Sequence, residues 1–125
     1  MKRHPRTILV CSAPLAALLV ASTSAAAADP EHGKLVFQGC AACHHEGVNP
    51  LGPSLKGVYG RKSAALEDYR YSPAMMRANL VWDEANLKSF IADPQGRVKG
   101  NRMPFGGVTA AADLDDVIAF LKAYK

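Results

Sequence analysis

The feature that most constrains this chain is a pentapeptide with two cysteines and a histidine, Cys40-Ala41-Ala42-Cys43-His44. Two thiols three residues apart, followed at once by an imidazole, form the C-x-x-C-H signature of covalent haem attachment. Each thiol can add across a vinyl group of the porphyrin, and the histidine lies where it can bind the iron. We therefore expect the chain to fold around one large, mostly apolar cofactor, haem c.

Other uses of paired cysteines fit this sequence less well. A disulfide is the usual fate of two cysteines in an exported protein. A thioredoxin-like redox pair follows a strand in a βαβ setting, whereas a helix is predicted to precede Cys40. A zinc site needs two further ligands, and the remaining cysteine, Cys11, lies in the leader described next. Haem attachment is the interpretation that uses His44 as well as both thiols.

The first 28 residues predict a secretory signal peptide. A basic start, Met1–Arg6, is followed by an apolar stretch, Thr7–Val20, and by small residues that end in an alanine run. This order is typical of cleaved leaders. The apolar stretch is short for a membrane span of about 20 residues, although a retained membrane anchor is the alternative. We expect cleavage after Ala26 or Ala28, a mature domain of residues 29–125, and a periplasmic location.

Most of the positive charge of the chain belongs to this leader. The chain has 15 basic and 11 acidic residues, a net charge of +4. Loss of Lys2, Arg3 and Arg6 leaves 12 basic residues against the same 11 acidic ones, a net charge of +1. A near-neutral domain without a concentrated basic face is not expected to bind nucleic acid.

The mature sequence predicts an all-α fold with short helices and long loops. Helix starts are marked by Asp29-Pro30 and by Asp83, because each supplies a side-chain acceptor at the cap. Apolar residues at helical spacing mark a final helix that ends near Tyr124. No pattern typical of a strand is present. The predicted helices are Pro30 to about Gly39, Ser72–Arg77, Asp83–Ala92 and Thr109 or Ala110 to Tyr124, with loops over Asn49–Gly60 and Gln95–Val108.

A second iron ligand must come from the remaining thioether and imidazole side chains. His45 is adjacent to His44 and cannot bind the iron from the opposite side, and His32 precedes the cysteines in a helix. Met75 and Met76 lie in a helical stretch where filling space is the expected role. Met103 differs because it lies in a glycine-rich loop far along the chain from His44.

Taken in order, the motifs resemble those of class I c-type cytochromes, the family of mitochondrial cytochrome c and its small bacterial relatives. The resemblance covers essentially all of residues 29–125. It is carried by Gly33-x-x-x-Phe37, Cys40–His44, Gly52-Pro53-x-Leu55-x-Gly57, Gly60-Arg61-Lys62, Tyr71-Ser72-x-Ala74, Val81-Trp82, Leu87-x-x-Phe90-Ile91-x-x-Pro94, Arg102-Met103-x-Phe105 and Asp113–Leu121.

The resemblance implies the cytochrome c fold and a set of site residues. It makes Met103 the partner of His44 on the iron, and the Pro53 carbonyl the acceptor for the His44 ring N–H. It also implies that the haem propionates receive hydrogen bonds from Arg61, Tyr71 and Trp82. Asn101 departs from the frequent family pattern but is expected to donate to a propionate as well. The N- and C-terminal helices are expected to cross where Gly33 and Phe37 meet Phe120, Leu121 and Tyr124.

The function implied is one-electron transport between other redox proteins, without an enzyme active site. Histidine and methionine, together with the four porphyrin nitrogens, would fill all six iron positions. We expect a monomer whose donor and acceptor the sequence does not name. Two alternatives remain at this point. The chain could be a dedicated subunit of a periplasmic dehydrogenase or oxidase, or a haem sensor or enzyme with an open iron site.

Overall fold

The computed structural model describes residues 26–47 and 50–125 of the chain. Within these residues the secondary structure is helical, with one isolated bridge between Lys62 and Val81 and no strand. The five helices are α1 Pro30–Ala41, α2 Pro73–Ala78, α3 Glu84–Ala92, α4 Pro94–Arg97 and α5 Ala111–Ala123. The predicted leader, residues 1–28, lies almost entirely outside the described residues. No helix in the described part of the chain is long and apolar enough to cross a membrane.

The helix starts follow the capping residues that the sequence marks. The Asp29 carboxylate accepts from the backbone N–H groups of Glu31 and His32, and Ser72 and Asp83 cap α2 and α3 in the same way. Such caps satisfy backbone donors that a helix leaves free at its first turn. The starts of these helices were therefore predicted within one residue.

Helices α1 and α5 form the main packing interface of the fold. They approach so closely at Gly33 that a Cβ atom there would lie 1.9 Å from the Asp116 carbonyl oxygen. One turn further along, the Phe37 ring lies 4.9 Å from the Phe120 ring and 5.0 Å from the Tyr124 ring, measured between centroids. The predicted crossing is confirmed, although Gly33 meets the backbone of Asp116 rather than the aromatic residues.

The predicted loop over Gln95–Val108 was wrong at its start, where residues Pro94–Arg97 form α4. Asp93 ends α3, and its carboxylate also accepts a hydrogen bond of 2.9 Å from the Gly96 N–H. Asp93-Pro94 is thus a stop signal for one helix and a start signal for the next. Helix α1 also extends two residues beyond the predicted end at Gly39, so that it includes Cys40.

Candidate haem-binding site

A cleft lies between the helices and the two long loops, and it is partly open to solvent. Its walls are mostly apolar, with side chains from α3, α5 and the loop after the cysteines. The lining residues include Leu55, Val58, Leu87, Phe90, Ile91 and Leu121. A mostly apolar cleft suits a large apolar ligand that needs only a few polar contacts.

The pentapeptide Cys40–His44 lies on one wall of this cleft. Cys40, at the end of α1, accepts hydrogen bonds through its carbonyl from the backbone N–H groups of Cys43 and His44, at 3.1 and 2.9 Å. This turn presents both thiols and the imidazole to the cleft. Both cysteines are half-buried. Burial raises the pKa of the Cys40 thiol, and the neighbouring Cys43 raises it further.

The orientation of the His44 ring is fixed from two directions. Its Nδ1 lies 2.7 Å from the carbonyl oxygen of Pro53 and donates to it, which leaves Nε2 as the nitrogen with a lone pair. A Cβ atom at Gly52 would lie 2.5 Å from the ring, so this position requires glycine. Burial lowers the pKa of His44, an effect that the bond to Pro53 partly offsets. The ring is therefore held as the neutral imidazole that binds metals.

Two methionines, Met103 and Met75, line the cleft together with the pentapeptide. Met103 follows a buried asparagine in the loop after α4, whereas Met75 belongs to α2. The prediction that α2 methionines fill space holds for Met75, which packs against the core. It was wrong for Met76, whose surface is 59% exposed.

Two of the predicted propionate donors, Arg61 and Trp82, lie side by side and both line the cleft. The backbone N–H of Trp82 donates to the Arg61 carbonyl at 2.8 Å, and the backbone N–H of Gly60 donates to the Trp82 carbonyl at 2.9 Å. This backbone pairing could not be predicted, because residues 60–63 and 80–82 have no strand pattern. The pairing places an indole and a guanidinium on the same wall.

The donors on this wall retain N–H and O–H groups for a ligand. Arg61 uses Nη1 and Nη2 for the carbonyls of Lys56 and Ser54, at 3.0 and 2.7 Å, out of five donor hydrogens. The Trp82 indole N–H has no protein acceptor among the described residues. Burial raises the pKa of Tyr71, and the Leu66 backbone and Arg61 partly offset this, so the phenol remains a donor at neutral pH.

Asn101 is the predicted donor that the structure places differently. Its side chain is buried beside the cleft, and both amide hydrogens are bound within the protein, to the carbonyls of Pro94 and Val98, each at 2.8 Å. An amide nitrogen has two hydrogens. The expected hydrogen bond from Asn101 to a propionate is therefore not available in this arrangement.

One apolar cleft is surrounded by two thiols, an oriented neutral imidazole, a thioether and a group of donors. This arrangement fits haem c, which is large and apolar except for its two carboxylates. The fold and the site together define a c-type cytochrome.

Comparison with known proteins agrees with this class. The profile of the cytochrome c family matches residues 30–125. The chain is 44% identical over 102 residues to cytochrome c2 of Rhodoblastus acidophilus, which covers 79% of this chain and 95% of the relative. It is 40% identical over 99 residues to cytochrome c-550 of Nitrobacter winogradskyi, covering 77% of this chain and 91% of the relative.

A solved structure gives the same result. Cytochrome cH from Methylobacterium extorquens superposes with a TM-score of 0.72 and 41% sequence identity, covering 76% of this chain and 98% of the other. The chain belongs to the cytochrome c family, and it is an electron-transport protein that binds haem c covalently through Cys40 and Cys43.

Proposed function

We propose that this chain carries one electron at a time through a haem whose iron is bound by Nε2 of His44 and by the sulfur of Met103. The observation that supports this best is that both side chains line the same apolar cleft as the two attachment cysteines. When bound, haem c supplies an iron that accepts and returns a single electron. A thioether ligand favours the ferrous state and raises the reduction potential relative to a second nitrogen ligand.

The protein contributes in three ways to this function. The Pro53 carbonyl holds the His44 ring in one tautomer, which strengthens it as a ligand. Arg61, Tyr71 and Trp82 offer hydrogen bonds to the propionates, whose charges need partners when they are partly buried. The apolar walls limit water around the metal, which raises the potential and limits reorganisation when the charge changes.

With His44 and Met103 both bound to the iron, no place would remain for a substrate or a gas. We therefore propose a carrier rather than an enzyme or a gas sensor, and redox proteins as its partners. The sequence of residues 1–28 supports a periplasmic protein without its leader, and we propose that this protein is a monomer. The alternative of a dedicated subunit predicts recovery from cells at a fixed ratio to one dehydrogenase or oxidase.

Replacement of the two cleft methionines tests the ligand directly. Met103→Ala is expected to keep the covalent haem, to lose the methionine-to-iron charge-transfer band of the ferric protein and to lower the reduction potential. Met75→Ala is the matched control, because it also removes a thioether from the cleft. If Met75→Ala loses the band and Met103→Ala keeps it, Met75 is the ligand and the proposal is wrong.

The extent of the mature chain is tested by intact mass and N-terminal sequencing of holoprotein from the periplasm. We expect a chain that starts at Ala27 or Asp29. A full-length chain that sediments with membranes would contradict both the cleavage and the proposed location.

A further inference from the structure

The loop that carries Met103 is attached to α4 by two amide side chains, Gln95 and Asn101, which we call the amide clamp. Asn101 is 7% exposed, which makes it one of two buried polar residues among those described. Its Nδ2 donates to the carbonyls of Pro94 and Val98, each at 2.8 Å. Its Oδ1 accepts from the backbone N–H of Met103 at 2.8 Å. One buried side chain thus joins Met103 directly to both ends of α4.

Gln95 binds the same loop from within α4. Its Nε2 donates to the Asn101 carbonyl at 3.0 Å and lies 3.5 Å from the Met103 carbonyl. Its Oε1 accepts from the Gly100 N–H at 3.3 Å. The two amides together engage backbone groups on three of the four residues from Gly100 to Met103, all except Arg102. A loop without regular structure receives in this way the hydrogen bonds that its buried backbone requires.

We propose that Asn101, supported by Gln95, is a positioning residue that holds Met103 in the cleft, and that it is not a donor to the haem. The inference rests on the proposed function, since it takes Met103 as the iron ligand. It replaces the propionate contact that the resemblance implied for Asn101, because both hydrogens of the amide are already used. A positioned ligand has to be displaced against these hydrogen bonds before another molecule can bind the iron.

The chemistry requires an amide at this position. The side chain donates twice to carbonyl oxygens and accepts once from an N–H, and a carboxylate cannot reproduce this. Asn101→Asp keeps the acceptor for Met103 but turns an oxygen toward two carbonyls. Asn101→Ala removes all three bonds. Each buried hydrogen bond that is lost weakens the attachment of the loop.

The test is imidazole binding to the ferric holoprotein, measured by the loss of the methionine-to-iron charge-transfer band. We expect Asn101→Ala and Asn101→Asp to bind imidazole at least about tenfold more tightly than the wild type. Hydrogen exchange of the Met103 amide should accelerate by a similar factor. Asn86→Ala is the matched control, because Asn86 also bridges backbone and side-chain groups, Val81 at 2.9 Å and Arg97 at 2.7 Å, without touching the loop.

The outcomes separate the two proposals. Wild-type protein without the charge-transfer band would contradict Met103 as the ligand. If the wild-type protein shows the band and both Asn101 variants bind imidazole with unchanged affinity, only the proposal of the amide clamp is overturned. A change in reduction potential with unchanged imidazole affinity would overturn the same proposal, since that result is expected of a propionate donor. If the Asn101 variants do not fold, Gln95→Ala supplies the weaker perturbation, and the same comparison with Asn86→Ala decides.

Discussion

The Nδ1 of His44 lies 2.7 Å from the carbonyl oxygen of Pro53, and this contact fixes which ring nitrogen can bind iron. The contact depends on the preceding residue, because any side chain at Gly52 would meet the imidazole ring. Ligand orientation at this site is therefore set by a turn of the backbone rather than by side-chain packing alone.

Gly52→Ala is expected to displace the His44 ring, since the new Cβ would lie 2.5 and 2.6 Å from its Cε1 and Nδ1 atoms. Insertion of a methyl group into a filled space costs about 1–3 kcal/mol of unfolding free energy. Denaturant unfolding of the holoprotein measures this cost. Gly106→Ala is the control, since a Cβ atom there meets nothing within 4 Å. Equal stability of the two variants would show that the ring is not confined by Gly52.

Gly33→Ala is expected to separate α1 from α5. The added Cβ would lie 1.9 Å from the Asp116 carbonyl oxygen and 2.4 Å from the carbonyl carbon, and backbone atoms cannot move aside as a flexible side chain does. We expect a loss of about 3 kcal/mol or more of unfolding free energy.

Gly39→Ala provides the control on the same helix, because a Cβ at this exposed position has no neighbour within 4 Å. Alanine is the better helix former by up to about 1 kcal/mol, so this variant should be as stable as the wild type or more stable. The same loss of stability in both variants would mean that helix α1, and not its crossing with α5, is sensitive to the added methyl group.

Asp116 links the start of α1 to α5 and makes stability depend on acidity. A hydrogen bond of 2.6 Å from the Asp29 N–H, followed by one from His32 at 2.8 Å, lowers the pKa of Asp116 from its ordinary value of 3.8. The folded state therefore binds this proton less readily than the unfolded state. The stabilisation is complete above pH 3.8 and is lost as the pH falls through the lower folded-state pKa.

We expect Asp116→Asn to be less stable than the wild type near neutral pH and to approach it as the pH falls below 3.8. Thermal unfolding of both proteins across this range measures the difference. Asp115→Asn is the neighbouring control, which removes an exposed ion pair with Lys88. A stability difference between wild type and Asp116→Asn that stays constant with pH would contradict the role of the carboxylate.

Capping residues and periodicity predicted most of the fold, because each acts within one turn of the chain. Asp29, Ser72 and Asp83 begin helices as expected. The short helix α4 escaped prediction because Asp93-Pro94 was read only as the end of α3. Four residues are too few for a hydrophobic period, and the second role of Asp93 becomes visible only in its hydrogen bond to Gly96.

In the site, too, contacts between residues close in the sequence could be predicted, and contacts between distant segments could not. The pentapeptide identified the cofactor because both thiols and the histidine lie within one turn. The pairing of Arg61 with Trp82 joins segments about twenty residues apart and has no sequence pattern of its own. The residue type of Asn101 does not reveal its role, since an amide can either donate to a propionate or hold the loop. Its hydrogen bonds to the carbonyls of Pro94 and Val98 distinguish the two roles.

If His44 and Met103 both bind the iron, carbon monoxide should find no open position on it. Ferrous wild-type holoprotein under native conditions is expected to leave its spectrum unchanged when carbon monoxide is added, and the ferric form is expected to show the methionine-to-iron charge-transfer band. Rapid carbon monoxide binding without denaturant, together with absence of that band, would show an open iron site and contradict the account.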